Sequence, residues 1–392
     1  MKDKIFKLQG KVQHYEWGGY EFIPSLLGVD NSEQKPYAEY WMGAHESASG
    51  LLHTREGLQS WYELIQQAPA EQLGEKVYQR FGELPYLFKV LDVNKMLSIQ
   101  VHPSKDEARK GFEREDAAGV PLHAAHRNYK DKNHKPEVMI ALGEFWLLHG
   151  FKKEEELQHI LNSIPEFNFL SRVFSGGNYY GLYKTVMEMP QDDADELLFP
   201  LVAREVAAKH TKDKPGYWVS KLYNGILPSK NIDKGIFSIY FFNIVKLKNG
   251  EGIFQGAGVP HAYLEGQNVE LMANSDNVLR GGLTTKHIDV PELLKHIVFA
   301  GIEPFILTGD ESGHEIKYPL PAEDFGITAV TLQNGREYVS KSGSAEIFIV
   351  MEGEVHCGHL SCKRGEAFAV LPDKEYTIRG IVNAALYKAF VP

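Results

Sequence analysis

The stretch KMLSIQVHP, residues 95–103, alternates between apolar and polar side chains, as a β-strand with one buried face does. Leu97, Ile99 and Val101 lie on the face that this alternation assigns to a core. Gln100 and His102 lie on the opposite face, where an amide and an imidazole are both able to bind a metal ion. The segment therefore predicts a strand with one structural face and one face available for chemistry.

Strand-like runs continue on both sides of this segment. PYLFKVLDV (residues 85–93) and KPEVMIALG (residues 135–143) are short and apolar, and Gly, Pro and Asn clusters separate such runs over roughly the first 150 residues. Because this spacing is typical of strands, we expect a β-rich region from the start of the chain to about Gly150.

The apolar spacing changes after Phe151. KKEEELQHILNSI (residues 152–164) places its apolar residues three and four apart, which indicates an amphipathic helix, and similar patterns follow to about Asp233. Strand patterning resumes at about Ile236 in FSIYFFNIVKL, and a short helix is expected at PELLKHIVF. The sequence thus predicts a helical insertion between two β-rich blocks.

The chain is predicted to be mainly β with an α insertion. Residues 1–150 and 234–305 are expected to form one discontinuous domain, with the helical insertion at 151–233. Residues 306–392 carry short strands at regular spacing, which suits a small β-sandwich or jelly roll. In that tail, HCGHLSC (residues 356–362) is expected to be a hairpin turning at Gly358 rather than a second metal site, because it lacks the paired C-x2-C spacing.

Composition excludes several classes of function. The chain has 392 residues, 52 acidic and 42 basic side chains, and a formal net charge of -10, which argues against a general surface for nucleic acid or anionic membranes. Its two cysteines are too few for a disulfide framework, and no run reaches the length of a membrane helix or a signal peptide. We expect a cytoplasmic, monomeric protein whose partner is a small molecule.

Four side chains from separate segments form a plausible metal site. Gln100 and His102 are joined by Glu137, at the start of a strand, and by His261, which follows Pro260 in GVPHAYLEG. Each alone is more often an ordinary surface residue, but a jelly-roll barrel brings distant strands around one cavity. Two imidazoles, a carboxylate and an amide oxygen suit Zn2+ with positions left open for substrate.

Longer motifs connect these residues to a known family. QVHPSK (residues 100–105), YKDKNHKPE (129–137), GVPHAYLEG (258–266) and VELMANSDNVLRGGLTTKHID (269–289) closely resemble type I phosphomannose isomerases, which are also called mannose-6-phosphate isomerases. HYEWGG and AEYWMGAH, near the start of the chain, resemble the same family. The resemblance runs from about His14 to Glu292 and is less distinctive after Gly301.

The resemblance implies two cupin-like jelly-roll domains plus a helical domain. It also implies one Zn2+ per chain, bound by residues at the positions of Gln100, His102, Glu137 and His261. The implied reaction interconverts mannose 6-phosphate and fructose 6-phosphate. Thr285 stands where similar proteins often have proline, which alters a turn and none of the proposed ligands.

Isomerisation of an aldose to a ketose through a cis-enediol needs a base, a stabiliser for negative charge on oxygen and a grip on the phosphate. The resemblance makes Arg280 the catalytic arginine, although an isolated arginine at this spacing commonly pairs with Asp276. Lys135, two residues before Glu137, is the second catalytic candidate, because burial beside a metal lowers a lysine pKa; a solvated lysine is the alternative.

Further residues are candidates for binding the substrate and its phosphate: Lys89, Ser104, Lys105 and Asp276. Lys89 interrupts an apolar run, and Ser104 and Lys105 follow His102 closely. The base stays open between a metal-bound water, Lys135, Asp276 and Glu265. Two other functions are compatible with the residues: an iron-dependent cupin oxygenase, since two histidines and a carboxylate also form the facial triad, and a non-catalytic sugar-phosphate sensor.

Overall fold

A computed structural model describes residues 4–392 of the chain. The first block, up to the helical insertion, contains nine strands and five helices. The strands are β1 (Ile5–Gln9), β2 (Lys11–Gln13), β3 (Glu39–Met42), β4 (Leu51–Thr54), β5 (Gly57–Ser60), β6 (Tyr86–Val93), β7 (Gln100–Val101), β8 (Glu137–Ala141) and β9 (Phe145–Phe151). The helices are α1 (Phe22–Leu27), α2 (Trp61–Gln67), α3 (Pro69–Leu73), α4 (Glu75–Phe81) and α5 (Lys105–Ala117).

The predicted helical insertion is present and extends further than expected. Its helices are α6 (Glu154–Ser163), α7 (Asn168–Val173), α8 (Tyr179–Glu188), α9 (Gln191–Ala207), α10 (Pro215–Leu222) and α11 (Gly235–Phe241), with a 3-10 turn at Pro165–Phe167. The strand expected from about Ile236 is therefore wrong over its first part, where the backbone is helical. All seven residues of α11 are buried, and a fully apolar run of this length has no periodicity that separates helix from strand.

The second block returns to strands directly after α11. It contains β10 (Phe242–Leu247), β11 (Gly252–Gln255), β12 (His261–Ala273) and β13 (Leu279–Arg280), followed by α12 (Val290–His296), which confirms the helix expected at PELLKHIVF. These strands share one ten-stranded sheet with β2, β3 and β6 to β9. Strands on either side of the insertion are therefore hydrogen-bonded to one another, through β12 above all.

The C-terminal region is a jelly roll. Its strands are β14 (Asp310–Ser312), β15 (Glu315–Tyr318), β16 (Gly326–Leu332), β17 (Glu337–Lys341), β18 (Glu346–Glu352), β19 (Glu354–Cys357), β20 (Leu360–Lys363), β21 (Ala367–Val370), β22 (Glu375–Gly380) and β23 (Ala384–Phe390). One sheet contains the order β16-β23-β18-β21 and the other the order β17-β22-β19-β20, so the chain crosses repeatedly between two facing sheets. The mainly β prediction with an α insertion is confirmed.

The hairpin predicted at HCGHLSC is also present. Strands β19 and β20 pair on either side of Gly358, whose φ of 60° is a left-handed conformation that glycine adopts without strain. Cys357 and Cys362 are free thiols buried in the core of the jelly roll. Burial raises the pKa of each thiol to about 12, so neither is a reactive thiolate near neutral pH.

One part of the predicted first domain lies in the sheet of the C-terminal region. Strand β1 pairs with β21 on one side and with β4 on the other, so β1, β4 and β5 extend the jelly-roll sheet to nine strands. The Lys7 ammonium also contacts the Glu366 carboxylate at 2.6 Å. Residues 1–150 thus contribute to two sheets, and the division into domains stays a prediction.

Four large apolar cores, and a small one formed by Trp41, Leu87 and Met272, hold the layers of residues 4–392 together. One core lies between the nine-stranded sheet and the ten-stranded sheet and includes Phe88, Ile140 and Ile347. A second lies inside the ten-stranded sheet, a third joins it to the helical insertion, and a fourth fills the jelly roll. Because β6, β8 and β12 are buried on both faces, their side chains point alternately into an outer and an inner core. Within residues 4–392, no helix has the length and apolar character needed to cross a membrane.

A buried carboxylate joins α5, α12 and the loop that precedes β8. The Glu292 carboxylate accepts hydrogen bonds from Arg114 at 2.5 Å, from the Tyr129 hydroxyl at 2.6 Å and from Lys295 at 2.6 Å. Burial opposes its ionisation, but these bonds and His296 outweigh burial and hold the pKa of Glu292 far below its usual value. The network clamps the start of the YKDKNHKPE loop onto the two helices.

We expect Glu292→Gln to lower the free energy of unfolding at pH 7 by about 1–2 kcal/mol, because it leaves the buried Tyr129 hydroxyl and the half-exposed Arg114 and Lys295 cations without an ionised partner. A carboxyl group whose pKa is lower in the folded protein than in the unfolded chain stabilises the fold at pH values above its unfolded-state pKa. This contribution is lost as the pH falls toward its folded-state pKa. The difference between wild type and variant, measured by urea unfolding, should therefore shrink from pH 7 to pH 3. A difference that is equal at both pH values would contradict this account.

Candidate metal centre and active site

The predicted ligands lie on or beside strands of the ten-stranded sheet. His261, the first residue of β12, is paired with Gln100 of β7 on one side and with His149 of β9 on the other. Glu137, the first residue of β8, is paired with Gln255 of β11 and with Met272, near the other end of β12. Strand register alone therefore does not bring Glu137 to His261, and the evidence that they meet is the contact between their side chains.

The side chains of His102, Glu137 and His261 form the cluster that the sequence predicted. His102 Nε2 lies 3.4 Å from Glu137 Oε1, and His261 Nε2 lies 3.3 Å from Glu137 Oε2. The two imidazole rings are 5.1 Å apart between centroids, and all three residues are buried. Within residues 4–392, one group of three or more His, Cys, Asp or Glu side chains is close enough together to bind one metal ion. That group is His102, Glu137 and His261.

The two histidines are oriented as metal ligands. Nδ1 of His102 is 2.9 Å from the carbonyl oxygen of Asn277, and Nδ1 of His261 is 2.9 Å from that of Val259. These carbonyls only accept, so each Nδ1 carries the proton and each Nε2 has a free lone pair. Both Nε2 atoms are buried and make no hydrogen bond. A buried, orphaned lone pair on either side of a carboxylate fits a divalent cation such as Zn2+.

Electrostatics keep His102 and Glu137 in the protonation states that a metal requires. Burial lowers the pKa of His102 to about 4, so its imidazole is neutral near pH 7. Burial also opposes ionisation of Glu137, but the charge of Lys135 and the adjacent imidazoles prevail and hold its pKa well below the usual value. The neutral His102 imidazole and the Glu137 carboxylate are therefore available to a metal without prior loss of protons.

Gln100 lies beside this cluster through its backbone. Its Cα is in register with both His261 and Arg280, which are on the strands flanking β7. This position is compatible with an amide ligand at the edge of the cluster. The assignment of Gln100 as the fourth ligand stays a prediction, because no contact joins its side chain to the other three among the described contacts.

Lys135 contacts the cluster directly. Its ammonium is 3.2 Å from Glu137 Oε1, and its side chain is 11% exposed, which is low for a lysine. The ammonium therefore lies beside the Glu137 carboxylate, although β8 begins only at Glu137 and not at Lys135, and the catalytic role of Lys135 stays a prediction.

Lys89 also points into the interior, but its charge is held by two carboxylates. Its ammonium lies 3.2 Å from Glu39 and 3.3 Å from Glu270, and all three side chains are at most a tenth exposed. Burial disfavours the ammonium, but the two carboxylates outweigh burial and raise the pKa of Lys89. Because both ion pairs are internal, the structure favours a buried structural cation over the phosphate ligand that the sequence suggested.

Glu270 is a site residue that sequence reasoning missed. It is 4% exposed, and burial raises its pKa, with further contributions from the charges of Glu137 and Glu39. A carboxyl group whose pKa is raised in a cleft is a common feature of acid–base catalysis. The signal was present in VELMA, where a charged residue interrupts an apolar strand as Lys89 does in YLFKVLDV.

A second residue that the sequence reasoning missed is Lys286, which lies near Arg280. Burial lowers the pKa of the Arg280 guanidinium. The pKa of the Lys286 ammonium is also lowered, first by partial burial and then by the positive charge of Arg280. No ion pair or hydrogen bond from either side-chain cation to a carboxylate is found within residues 4–392, and the Asp276 pairing considered for Arg280 is absent from that set. The charge of Arg280 acts on Lys286, which is an exposed residue, and cations without a counter-charge favour anion binding.

The other sequence-predicted residues have different partners. Ser104 caps α5 by accepting a hydrogen bond from the Glu107 amide at 3.4 Å, and Lys105 begins that helix. Asp276 interacts with His45, at 3.5 Å, on the rim of the site. Glu265 contacts Lys212 at 2.6 Å and also Lys221, so its carboxylate ties β12 to the helical insertion and is a poor choice for the base.

A cavity of about 1200 Å³ opens beside this rim. Lys105, Lys130, His45, Ser47 and Asp276 belong to its lining. The volume exceeds that of a sugar phosphate, and the lining is mixed in charge. The residues of the metal cluster are not part of this lining, so the cavity is a polar recess on the side of Asp276 rather than an apolar ligand pocket.

Comparison with known proteins places this geometry in a family. Residues 5–154 match the family model "Phosphomannose isomerase type I, catalytic domain". A mannose-6-phosphate isomerase of Escherichia coli K12 is 36% identical over 386 residues, covering 95% of this chain and 97% of its own length. A human mannose-6-phosphate isomerase is 34% identical over 389 residues, covering 90% of this chain and 88% of its own length.

Solved structures agree over nearly the whole chain. A zinc-bound mannose 6-phosphate isomerase is similar with a TM-score of 0.89 and 34% identity, over 99% of this chain and 100% of its own. A mutant phosphomannose isomerase from Salmonella typhimurium has a TM-score of 0.90 at 33% identity, with coverage of 99% and 100%. The similarity therefore includes the helical insertion and the C-terminal jelly roll as well as the cluster.

We expect His261→Ala to remove stoichiometric zinc from the protein, because it deletes one of two buried lone pairs that face Glu137. Zinc content after dialysis against metal-free buffer, measured by mass spectrometry, tests this. His159→Ala, which changes an exposed histidine of α6, is the matched control and should retain the wild-type zinc content. Full zinc retention in a folded His261→Ala protein would show that the cluster is not the metal centre.

Proposed function

The chain belongs to the type I phosphomannose isomerase family, and from this we infer that it interconverts mannose 6-phosphate and fructose 6-phosphate with one bound Zn2+. The observation that carries the inference is the pair of buried, orphaned Nε2 atoms of His102 and His261 beside the Glu137 carboxylate. Gln100 is the proposed fourth ligand. The bound zinc ion supplies a Lewis acid that polarises the oxygens of the substrate.

We assign the phosphate to the two cations without a counter-charge, Arg280 and Lys286. A guanidinium forms paired hydrogen bonds to phosphate oxygens, and an ammonium adds a point charge. Arg280 is also in register with Gln100, so a phosphate held there places the sugar next to the cluster. This assignment replaces Lys89, whose ammonium is held by two internal carboxylates, and Ser104 and Lys105, of which Ser104 caps α5 and Lys105 begins it.

We assign the proton transfers to Glu270 and Lys135. In the forward direction the Glu270 carboxylate removes the proton on C2, the C2–H electron pair becomes the C1=C2 bond, and O1 takes a proton from the Lys135 ammonium. This gives a cis-enediol. Glu270 then returns its proton to C1 while the O2 hydroxyl gives its proton to Lys135, so the ketose forms and both residues regain their starting states.

The surroundings of Glu270 and Lys135 support these roles. Lys135 contacts Glu137, and the charges of Glu137 and Lys135 both act on Glu270, whose carboxylate is also paired with Lys89 at 3.3 Å. The raised pKa of the buried Glu270 carboxyl brings it nearer to the pH at which it must both accept and release a proton. The Lys135 ammonium, 3.2 Å from Glu137, is a donor and not a base at the start of the cycle.

The function is tested by assaying conversion of mannose 6-phosphate before and after chelation and again after adding Zn2+. We expect activity to be lost and then restored. In D2O, transfer through an enediol should introduce deuterium at C1 of fructose 6-phosphate, whereas a direct hydride shift would leave the position unlabelled. Glu270→Gln should abolish both turnover and labelling while the zinc content is kept. Zinc-loaded, folded protein without turnover would exclude the proposed function.

The phosphate assignment is tested by Lys286→Met. Loss of a charge-assisted contact should raise KM for mannose 6-phosphate by about tenfold or more, with a smaller effect on kcat. The exposed Lys248→Met, on the turn after β10, is the control for loss of one positive charge and should keep the wild-type KM. An unchanged KM in Lys286→Met would move the phosphate elsewhere.

A further inference from the structure

Three side chains on the rim of the cavity are joined in a line, and the mechanism above does not use them as a unit. Ser47 Oγ lies 2.8 Å from His45 Nδ1, and His45 Nε2 lies 3.5 Å from Asp276 Oδ2. All three residues line the same cavity, and the charge of Lys135, which contacts Glu137, acts on Asp276. The His45 imidazole thus lies between the Ser47 hydroxyl and the Asp276 carboxylate. Whether His45 can donate a hydrogen bond to Asp276 depends on which of its ring nitrogens carries the proton.

The backbone determines the tautomer of His45. The amide N–H of Ser47 points at His45 Nδ1 at 3.2 Å, and an amide N–H only donates. Nδ1 is therefore the acceptor, for the amide and for the Ser47 hydroxyl. In the neutral imidazole the proton must then be on Nε2, which is the atom that faces Asp276.

Asp276 depends on this contact for its orientation. Within residues 4–392, the side chain in contact with the Asp276 carboxylate is His45, whose Nε2 lies 3.5 Å from Oδ2. The backbone amide of Asp276 separately donates a hydrogen bond to the Asp131 carboxylate at 2.7 Å. The hydrogen bond from His45 is the main reason that the pKa of Asp276 lies below its usual value. The Asp276 side chain is 56% exposed, so the carboxylate also remains open to the cavity.

The ring of His45 is itself fixed by packing. It meets the Trp41 ring edge to face at a centroid distance of 5.3 Å, and the His45 side chain is 11% exposed. The Lys89 ammonium lies 4.9 Å from the Trp41 ring centroid, over its face. A chain of contacts thus runs from the buried Lys89 through Trp41 and His45 to Asp276.

We propose that His45 is a positioning residue for the isomerase reaction, which holds the Asp276 carboxylate so that its free oxygen accepts a hydrogen bond from a hydroxyl group of the sugar. The proposal rests on the proposed function, because it takes the sugar phosphate as the ligand. It adds a specific division of labour: Arg280 and Lys286 hold the anionic end of the substrate, and His45 with Asp276 orients the polyol end. Ser47 contributes through its amide, which sets the tautomer, more than through its hydroxyl.

A double-mutant cycle separates positioning from a general structural role. We expect His45→Phe, which keeps a ring against Trp41 and removes the donor, to lower kcat/KM for mannose 6-phosphate by about 10- to 100-fold, the usual size for loss of a supporting contact. His45→Gln, which keeps an N–H near the position of Nε2, should recover most of this loss. Ser47→Ala should have a small effect because the amide remains.

The decisive measurement is His45→Phe in the Asp276→Asn background. If His45 acts through Asp276, the second substitution should add less than about twofold. Equal losses in both backgrounds, or no loss in the single variant, would overturn the proposal. Zinc content and the thermal midpoint should match the wild type, and His159→Phe, on an exposed site of α6, is the control for adding an aromatic ring.

A wild-type protein that does not convert mannose 6-phosphate would overturn the proposed function but not the contact between His45 and Asp276. A spectroscopic measurement tests that contact without an activity assay. In the zinc-loaded protein, the 13C-carboxyl signal of Asp276, identified by its loss in Asp276→Asn, should titrate at higher pH in His45→Phe than in wild type. Lys135, Lys89 and Asp131 also act on this carboxylate and are unchanged by the substitution. An unchanged titration would show that His45 does not hold Asp276.

Discussion

The structure around the site depends on one buried negative charge, that of the Glu137 carboxylate. A carboxylate without solvent is tolerated only when cations and donors surround it closely. Lys135 contacts one oxygen, and the two imidazoles flank both. Side chains from three separate segments of the chain must therefore meet at this carboxylate. A divalent cation between the imidazoles completes the same compensation.

The tautomers of the two imidazoles are set by backbone carbonyls that surround the cluster, those of Asn277 and Val259. Asn277 accepts from His102 through its carbonyl, while its side-chain amide binds the backbone of the loop before β8 at Lys130, Asp131 and Asn133. This loop also carries Lys135. The ligand His102 and the cation beside Glu137 are thus held by one asparagine, so orientation of the ligands and balance of the buried charge are mechanically coupled. The Glu292 network fixes the other end of the loop.

Strand alternation singled out His102 and Glu137, the turn after Pro260 singled out His261, and only their combination and the family resemblance made them a metal site. Strand alternation was insufficient inside strands that are buried on both faces. Lys89 and Glu270 look like interruptions of apolar runs, and their pairing depends on the register of β6 with β12, which no local pattern contains. Lys286 lies in a turn, so the effect of the Arg280 charge on it depends on the tertiary structure and could not be predicted from the local sequence pattern. The helix α11 was missed because an entirely buried element has no polar face to reveal its period.

The placement of β1 has a consequence for how the polypeptide is made. Lys4 bonds to the carbonyl of Pro372, 368 residues later, and β1 is paired with β21 near the end of the chain. On the ribosome, β1 therefore emerges long before β21, and one of its edges stays uncovered while the intervening chain is made. Its pairing with the hairpin of β4 and β5 protects the other edge earlier. The later strands of the jelly roll are thus added to a sheet that β1, β4 and β5 can already have formed.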